Sequence, residues 1–207
     1  MARSEKATVR VLGFGDSLTA GTPGYDPLSQ WGDQKSQYGH WIVDLSEKER
    51  GMTIEFDNQG EPGELAQDML PRLRRIMNQH GYSVVIILAG SNDIGWGHDA
   101  KTVYAHVSIL WEHALDKGPD VIACTVPPVG FPYPGLQDTQ SRFNEMVLGA
   151  ASTHRNLVVV DLFDGLSNEQ GLLIPGFDSG DGLHLNIDGY KRIGELIWHR
   201  ALAPLLS

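Results

Sequence analysis

A serine in a glycine-rich turn, GFGDSLTAG over residues 13–21, is the first residue of this sequence that could do chemistry. The turn follows a short apolar run, so Ser17 is predicted between the end of a strand and the start of a helix. Unpaired N–H groups at a helix N-terminus suit either the oxyanion formed after serine attack or a bound phosphate. Ser17 can equally serve as a helix cap. The turn alone leaves these three interpretations open.

A general base for the serine is available near the other end of the chain, in Asp181-Gly-Leu-His184. The two polar side chains are three residues apart, behind a glycine-rich loop and just before a predicted helix. On such a turn the carboxylate can hold one imidazole nitrogen while the other nitrogen faces outward as a base. The alternative is a local surface hydrogen bond, or a capping aspartate beside an unrelated histidine.

Two further polar stretches follow predicted strands and offer hydrogen-bond donors. NQGEPGE over residues 58–64 contains Gly63, and glycines allow a backbone to turn its N–H groups toward a ligand. GSNDI over residues 90–94 contains Asn92, whose side-chain amide can donate to a developing oxyanion. Taken singly, each stretch is better explained as a tight loop or an Asx turn.

Five short apolar runs are predicted as the strands that position these loops: residues 8–12, 53–57, 83–89, 120–126 and 156–161. Helical patterns alternate with them at residues 38–50, 64–80, 101–117, 138–154 and 187–203. Pro71 is expected to divide the second helix or to start a second turn, because proline lacks the amide donor that a helix interior needs and clashes there. The alternation predicts an α/β fold of three layers, in which helices cover both faces of a parallel sheet.

In such a sheet, the loops that follow the strands meet at one edge, where ligands of open α/β sheets bind. The candidate residues all fall in loops of that kind or in the loop before the last helix: Ser17, Gly63, Asn92, Asp181 and His184. Together they provide a nucleophile, a base with its orienting carboxylate, and donors for an oxyanion. This combination favours a serine hydrolase, because a phosphate site has no use for the base.

Three long loops, residues 21–37, 127–137 and 163–182, are predicted to wall a pocket at the same edge. Surface decoration is the alternative for each of them. No internal repeat, low-complexity tract or interdomain linker is present, so residues 1–207 are predicted to form a single domain.

Aromatic residues in these loops are candidates for contacts with a substrate. Phe131 and Tyr133 could form an apolar wall for an acyl or aryl group. Tyr25, Trp31 and Trp96 could stack on a sugar or on an aromatic alcohol. Packing within the loops is the alternative for all five.

Composition narrows the classes of partner. The formal net charge is −10, and an acidic surface disfavours nucleic acid and anionic membranes. The close-set Arg72, Arg74 and Arg75 are interpreted as a solvated helix face, and Cys124, in an apolar run, as a buried structural thiol. The first ten residues, MARSEKATVR, lack a secretory signal, and no apolar run approaches the length of a membrane span. A cytoplasmic protein without membrane insertion is therefore expected.

The four polar stretches, in their order along the chain, resemble the SGNH/GDSL hydrolases, a family of GDSL esterases and lipases. The matching blocks are GDS at residues 15–17, N-x-G-x-x-G at 58–63, G-x-N-D at 90–93 and D-x-x-H at 181–184. The resemblance extends from Val9 to Tyr190, nearly the whole chain. It implies a flavodoxin-like α/β/α sandwich with a five-stranded parallel sheet.

Carried over block by block, the resemblance implies that Ser17 is the nucleophile, His184 the base and Asp181 its orienter. It also implies an oxyanion hole made of the backbone N–H groups of Ser17 and Gly63 and the side-chain amide of Asn92. The implied activity is hydrolysis of small-molecule carboxylic esters, with short acyl or acetyl groups, through an acyl-enzyme. No metal and no other cofactor is implied.

Other activities of the same family are alternatives: carbohydrate O-acetylesterase, lysophospholipase and thioesterase. Outside the family, a non-catalytic mononucleotide-binding protein of flavodoxin-like fold is the main alternative. Asp16 and Asp93 belong to the matching blocks but are interpreted as residues that hold the turns. One departure is Leu185, which stands where the family commonly has a proline after the histidine.

Overall fold

A computed structural model describes residues 8–207, so most of the N-terminal segment on which the expected location depends lies outside the described residues. The strands are β1 (Val9–Gly15), β2 (Tyr25–Asp26), β3 (Trp31–Gly32), β4 (Ile54–Gly60), β5 (Val84–Leu88), β6 (Asp120–Cys124) and β7 (Leu157–Val160). The α-helices are α1 (Ser17–Ala20), α2 (Tyr38–Arg50), α3 (Ala66–Gln79), α4 (Ser91–Gly95), α5 (Ala100–Asp116), α6 (Leu136–Gly149), α7 (Leu162–Leu166), α8 (Ile187–Ile197) and α9 (Ala203–Leu205). A π-helical turn, Trp198–Leu202, joins the last two helices, and 3-10 turns lie at Gln34–Ser36, Ala150–Ser152 and Pro175–Phe177.

Five of these strands form one parallel sheet in the order β4-β1-β5-β6-β7. Numbered along the chain, this is the order 2-1-3-4-5 of flavodoxin-like sheets, so the predicted α/β fold is confirmed. The order reverses between β1 and β5, and the loops after these two strands flank the crevice that such a reversal creates. The remaining strands, β2 and β3, pair as a small antiparallel hairpin.

The sheet separates two apolar layers because successive side chains on a strand point to opposite faces. Val11 and Ile86 pack in the layer that includes the buried residues of α2, α7 and α8. Leu12 and Val85 pack in the layer that includes those of α3, α5 and α6. Helices therefore cover both faces, as the continuous apolar runs of the strands predict.

Two helices differ from the sequence-based expectations. Helix α3 continues through Pro71, so the prediction of a divided helix is wrong. Pro71 lies on the exposed face, where solvent can hydrate the carbonyl that loses its helical donor, while Met69 and Leu73 hold the opposite face against the sheet. The last predicted helix ends its α-helical part at Ile197 and continues as the π-helical turn.

Cys124 lies buried at the end of β6 and forms no disulfide. Burial raises the pKa of its thiol, as expected of a structural rather than a nucleophilic cysteine. Within residues 8–207, no helix combines the length and the apolar character needed to cross a membrane.

Candidate active site

Ser17 lies where β1 turns into α1, at the crevice between β1 and β5. It is the first residue of α1 and 6% exposed, and a backbone N–H at that position has no partner within the helix. Asp16 caps the helix by accepting a hydrogen bond at Oδ1 from the backbone N–H of Leu18, at 3.0 Å. The turn therefore presents a serine hydroxyl beside a backbone donor that has no acceptor among the described residues.

The structure brings Ser17 into direct contact with His184, and His184 in turn contacts Asp181. The Nε2 atom of His184 lies 3.0 Å from the Oγ atom of Ser17. On the other side of the ring, Nδ1 of His184 lies 2.7 Å from Oδ2 of Asp181. The three side chains thus form one continuous hydrogen-bonded chain, although 167 positions separate Ser17 from His184.

The carboxylate of Asp181 is half-exposed but held by several hydrogen bonds. Its Oδ1 atom accepts the backbone N–H groups of His184, at 2.7 Å, and of Leu183, at 2.9 Å. Partial burial acts to raise the pKa of this carboxyl, but the bonds from the His184 ring and from the two N–H groups outweigh it and lower the pKa to about 2. Asp181 is therefore an anion at neutral pH and stabilises a positive charge on the imidazole.

Asp178 organises the loop that carries this pair, and the sequence analysis did not single it out. Its Oδ1 atom accepts the N–H groups of Gly180, at 2.7 Å, and of Gly182, at 3.0 Å. Gly182 has a φ of +73°, and a Cβ atom there would lie 2.2 Å from the ring of Phe131. Both the left-handed backbone and the packing of Phe131 therefore require glycine at this position.

The loop that contains Gly63 connects β4 to α3 and is attached at both ends to the crevice. The N–H group of Glu61 donates to the carbonyl of Gly15, at 3.0 Å, close to Ser17. The Nδ2 atom of Asn92, in α4 after β5, donates to the carbonyl of Glu64, at 3.0 Å. That bond uses one N–H of the Asn92 amide and leaves the other available.

Gly63 itself is exposed and has a φ of +83°. Among the described residues its N–H group has no hydrogen-bond acceptor. Asp93 fixes the end of the same loop, because its Oδ2 atom accepts the N–H of Ala66 at 2.9 Å. Asp16 and Asp93 thus both make the kind of turn-holding contact that was expected of them.

Arg72 is a further residue of this region, and its interpretation as part of a solvated helix face is wrong. Its side chain is only 10% exposed and forms ion pairs with Glu61 and Glu64. It also donates to the carbonyls of Gln59, at 2.6 Å, and Gly15, at 3.1 Å. The pattern of charged residues along α3 could not reveal this, because the partners of Arg72 lie outside the helix, on strands β1 and β4 and in the loop between β4 and α3.

The neighbours of Arg72 behave as the sequence predicts, since Arg74 and Arg75 are exposed. Asn58 is another anchor that the sequence analysis assigned no role. Its Nδ2 atom donates to the carbonyls of Thr19, at 3.0 Å, and Ala20, at 3.2 Å, and so ties the end of β4 to helix α1. The signal was available, because Asn58 opens the block that contains Gly63.

An apolar cavity of about 530 Å³ opens beside the contact between Ser17 and His184. Leu18 and Leu183, the chain neighbours of those two residues, line the cavity together with Asn92. Three of the predicted aromatic residues also line it: Trp96, Phe131 and Tyr133. Tyr25 and Trp31 are not brought into this cavity. Tyr25 lines a second cleft at the β4 edge of the sheet, and Trp31 lies in the hairpin beside that cleft.

Comparisons with known proteins agree with this fold. The chain matches the GDSL-like Lipase/Acylhydrolase family over residues 14–192. A search of curated proteins gives no match. Three similar solved structures share the fold. A G-D-S-L family protein from Desulfitobacterium hafniense DCB-2 has 24% identity and a TM-score of 0.75, covering 92% of this chain and 98% of that one. A member of the lipolytic protein G-D-S-L family from Veillonella parvula DSM 2008 has 23% identity and a TM-score of 0.74, covering 92% and 96% of the two chains. A catalytic mutant of Axe2, an acetylxylan esterase from Geobacillus stearothermophilus, has 18% identity and a TM-score of 0.76, covering 94% and 95%.

The family match extends over most of the chain and contains all four blocks that the sequence analysis identified. The chain therefore belongs to the GDSL-like lipase/acylhydrolase family and is a carboxylic ester hydrolase.

Proposed function

We propose that this protein is a serine esterase in which Ser17 is the nucleophile, His184 the general base and Asp181 the residue that orients it. The observation that carries the proposal is the continuous hydrogen-bonded chain from Ser17 Oγ through the His184 ring to the Asp181 carboxylate. In this arrangement Nε2 of His184 faces the hydroxyl, and Nδ1–H donates to the Asp181 carboxylate. The neutral ring then carries its proton on Nδ1, which is the tautomer that a base requires.

In the first half of the reaction, Ser17 Oγ attacks the ester carbonyl while Nε2 of His184 takes the hydroxyl proton. A tetrahedral intermediate forms, and its oxyanion is the charge that the site has to stabilise. The alkoxide then leaves with the proton held by His184, which gives the free alcohol and an acyl group on Ser17. In the second half, water loses a proton to Nε2 of His184 and attacks the acyl group. The carboxylic acid leaves, and Ser17 Oγ takes the proton back from His184.

The oxyanion hole in this proposal consists of the N–H groups of Ser17 and Gly63 and the side-chain amide of Asn92. Support comes from the unpaired position of the Ser17 N–H at the start of α1 and from the Gly63 N–H, which has no acceptor within residues 8–207. The bond from Asn92 to the Glu64 carbonyl supports a fixed amide whose second N–H is free for the substrate.

The substrate we propose is an ester with a short aliphatic or aryl group that occupies the apolar cavity. Leu18, Phe131 and Leu183 give the cavity an apolar lining. Its volume of about 530 Å³ falls in the range of small-molecule binding sites. The Axe2 neighbour acts on acetylxylan, but an acetyl group alone would leave most of this cavity empty.

Hydrolysis of p-nitrophenyl esters by wild type and Ser17→Ala tests the proposal. We expect Ser17→Ala to lose on the order of 10³-fold or more in kcat, and to lose labelling by a fluorophosphonate probe. Ser152→Ala, which removes an exposed hydroxyl far from the site, is the matched control. It should keep both ester hydrolysis and labelling by the probe. If Ser17→Ala hydrolysed the esters at the wild-type rate, Ser17 would not be the nucleophile.

A further inference from the structure

A second cleft, which we call the edge cleft, lies at the outer edge of strand β4 and is separate from the cavity beside Ser17. It has a volume of about 450 Å³ and is bounded by the β2–β3 hairpin, by helix α2 and by β4. Asn58 forms part of the wall between the cleft and the turn of Ser17, because its amide reaches the carbonyls of Thr19 and Ala20. Nothing in the ester hydrolysis described above uses this cleft.

The lining of the edge cleft is rich in side-chain amides: Gln30, Gln34, Gln37, Asn58 and Gln59. Gln37 is only 8% exposed, and its Oε1 atom accepts from Asn58 at 2.6 Å, but its Nε2 has no acceptor among the described residues. The side chains of Gln34 and His40 likewise have no hydrogen-bond partner within residues 8–207, although both line the cleft. The cleft therefore contains several donors and acceptors that a ligand could satisfy.

The charges of the lining favour a neutral ligand over an anionic one. No lysine or arginine contributes to the described lining, and the single carboxylate, Asp57, is already bonded to Gln59 and to the hydroxyl of Tyr82. Amides both donate and accept hydrogen bonds without carrying charge, which is the pattern that matches vicinal hydroxyl groups. A neutral polyhydroxylated ligand fits this lining better than a phosphate or a carboxylate does.

Aromatic surface is available beside the same cleft. Trp31 is 71% exposed in the β2–β3 hairpin, directly after Gln30, and Leu28 in the same hairpin is 95% exposed. Gln30 has a φ of +54°, a left-handed backbone that is uncommon for a residue with a side chain. Trp31 itself is not among the residues that line the cleft, so its indole is available to a pyranose ring of a ligand that extends beyond the cleft onto the hairpin.

We propose that the edge cleft binds a neutral oligosaccharide, with the amides and His40 as hydrogen-bond partners and Trp31 as the stacking surface. This binding is additional to ester hydrolysis and does not depend on it. A saccharide held there would keep an esterified carbohydrate, or a surface that carries one, near the enzyme while Ser17 acts elsewhere on the molecule.

Titration of uniformly ¹⁵N-labelled Ser17→Ala protein with xylotetraose, cellotetraose and maltotetraose, monitored by ¹H–¹⁵N correlation spectra, tests the proposal. The Ser17→Ala background separates binding from hydrolysis, so failure of the proposed esterase mechanism would not change the result. We expect at least one tetraose to shift the side-chain amide signals of Gln34 and Gln37 and the indole signal of Trp31.

Variants and an anionic ligand complete the test. The double variant Gln34→Ala/His40→Ala and the single variant Trp31→Ala should each weaken binding about tenfold, as loss of one or two hydrogen bonds or of a stacking surface predicts. Gln170→Ala, which removes an exposed amide elsewhere, should bind like the parent. Tetragalacturonate should bind more weakly than the neutral tetraoses, because no lysine or arginine is among the described residues that line the cleft.

Three results would overturn the proposal. One is that no neutral tetraose shifts the signals of Gln34, Gln37 and Trp31 at millimolar concentration. Another is that the shifts map only to the cavity beside Ser17. The third is that Gln34→Ala/His40→Ala and Trp31→Ala, with otherwise unchanged spectra, both bind as tightly as Gln170→Ala.

Discussion

The guanidinium of Arg72 forms an ion pair with the carboxylate of Glu64 at the base of the loop that carries Gly63. Both side chains are largely buried, at 10% and 13% exposure, so each one depends on the other for its charge. Arg72 also donates to the backbone carbonyls of Gln59 and Gly15. One side chain of α3 thus connects the end of β1, the end of β4 and the loop between β4 and α3.

Arg72→Met is therefore expected to lower kcat while changing KM for a p-nitrophenyl ester little. The variant keeps the apolar part of the side chain but releases the loop, which displaces the Gly63 N–H from the proposed oxyanion hole. Loss of one oxyanion donor costs about 10²–10³-fold in kcat, and we expect a loss of about tenfold to 10²-fold from a donor that is mobile rather than absent.

Two controls separate this effect from general destabilisation. Arg75→Ala removes an exposed arginine of the same helix and should leave kcat and thermal stability unchanged. Added guanidinium ion should partly restore the kcat of Arg72→Ala if the missing charge and donors are the cause. A proportional loss of folded protein, with normal kcat for the remainder, would assign Arg72 a structural role alone.

Asn92→Ala tests the proposed oxyanion hole from its other side. The substitution removes the side-chain amide that donates to the Glu64 carbonyl at 3.0 Å and that we assign to the oxyanion. We expect kcat to fall about 10²–10³-fold, with KM nearly constant, because the donor acts on a charge that exists only during the reaction. The control is Asn78→Ala, which removes an exposed amide of α3. Asn168→Ala would be a poorer control, because the Asn168 side chain holds its own turn.

The contrast between Ser17 and Arg72 shows which parts of the site could be predicted from the sequence. Ser17 and Asn92 were predictable because each lies in a short block after a strand, and parallel strands bring such blocks to one edge. The Asp181–His184 pair was predictable because it lies in the long loop before α8, which reaches the same edge. Arg72 was not predictable, because helical periodicity does not indicate that a side chain of α3 reaches partners on strands β1 and β4. The pairing of Asp181 with His184 followed from local spacing, whereas the 3.0 Å contact between His184 and Ser17 needs the whole sheet.

Substrate contacts were predictable only in part, for a similar reason. Phe131 and Tyr133 line the cavity beside Ser17, as their loop suggests, but Tyr25 belongs to a different cleft. The hairpin of β2 and β3 directs Tyr25 toward the β4 edge, and no pattern in the loop sequence specifies that direction. Pro71 shows the same limit within a helix, since local propensity is overridden by the buried face of α3.

Asp181→Asn tests the orienting role of this carboxylate. The amide can no longer stabilise a protonated imidazole, and it favours the wrong tautomer of His184, so we expect kcat to fall on the order of 10²–10⁴-fold. Ser179→Ala is the matched control, because the Ser179 hydroxyl donates to Oδ1 of Asp181, at 3.3 Å, whereas the His184 ring is held by Oδ2. An unchanged kcat in Asp181→Asn would show that the backbone alone orients His184.

A chain-length series of p-nitrophenyl esters tests the role of the apolar cavity. We expect kcat/KM to rise about fourfold for each added methylene that enters the cavity, since burial of a methylene contributes ~0.8 kcal/mol. Phe131→Ala removes part of the cavity wall, so it should flatten this rise while leaving the acetyl ester nearly unaffected. Leu148→Ala, an exposed apolar position on α6, should change neither, and a series that is flat in wild type would exclude the cavity as the acyl site.

Asp16 predicts a pH dependence of stability with a defined direction. Its carboxyl is fully buried, Oδ2 has no partner among the described residues, and burial raises its pKa to about 7, with smaller contributions from nearby Asp93 and Glu64. The folded state therefore keeps this proton up to about pH 7, whereas the unfolded state releases it near the ordinary aspartate pKa of 3.8. As pH rises between these two values, proton release favours unfolding, so the contribution of Asp16 to the free energy of unfolding falls throughout that window.

Asp16→Asn removes this titration while keeping an oxygen that can accept the N–H of Leu18. Relative to wild type, the free energy of unfolding of the variant should rise by up to ~1.4 kcal/mol per pH unit between about pH 4 and pH 7, and stay level above. Urea unfolding at several pH values measures this difference, with Asp188→Asn, an exposed carboxylate in the first turn of α8, as the control. A difference that stays constant from pH 4 to pH 7 would show that Asp16 is ionised in the folded protein throughout that range.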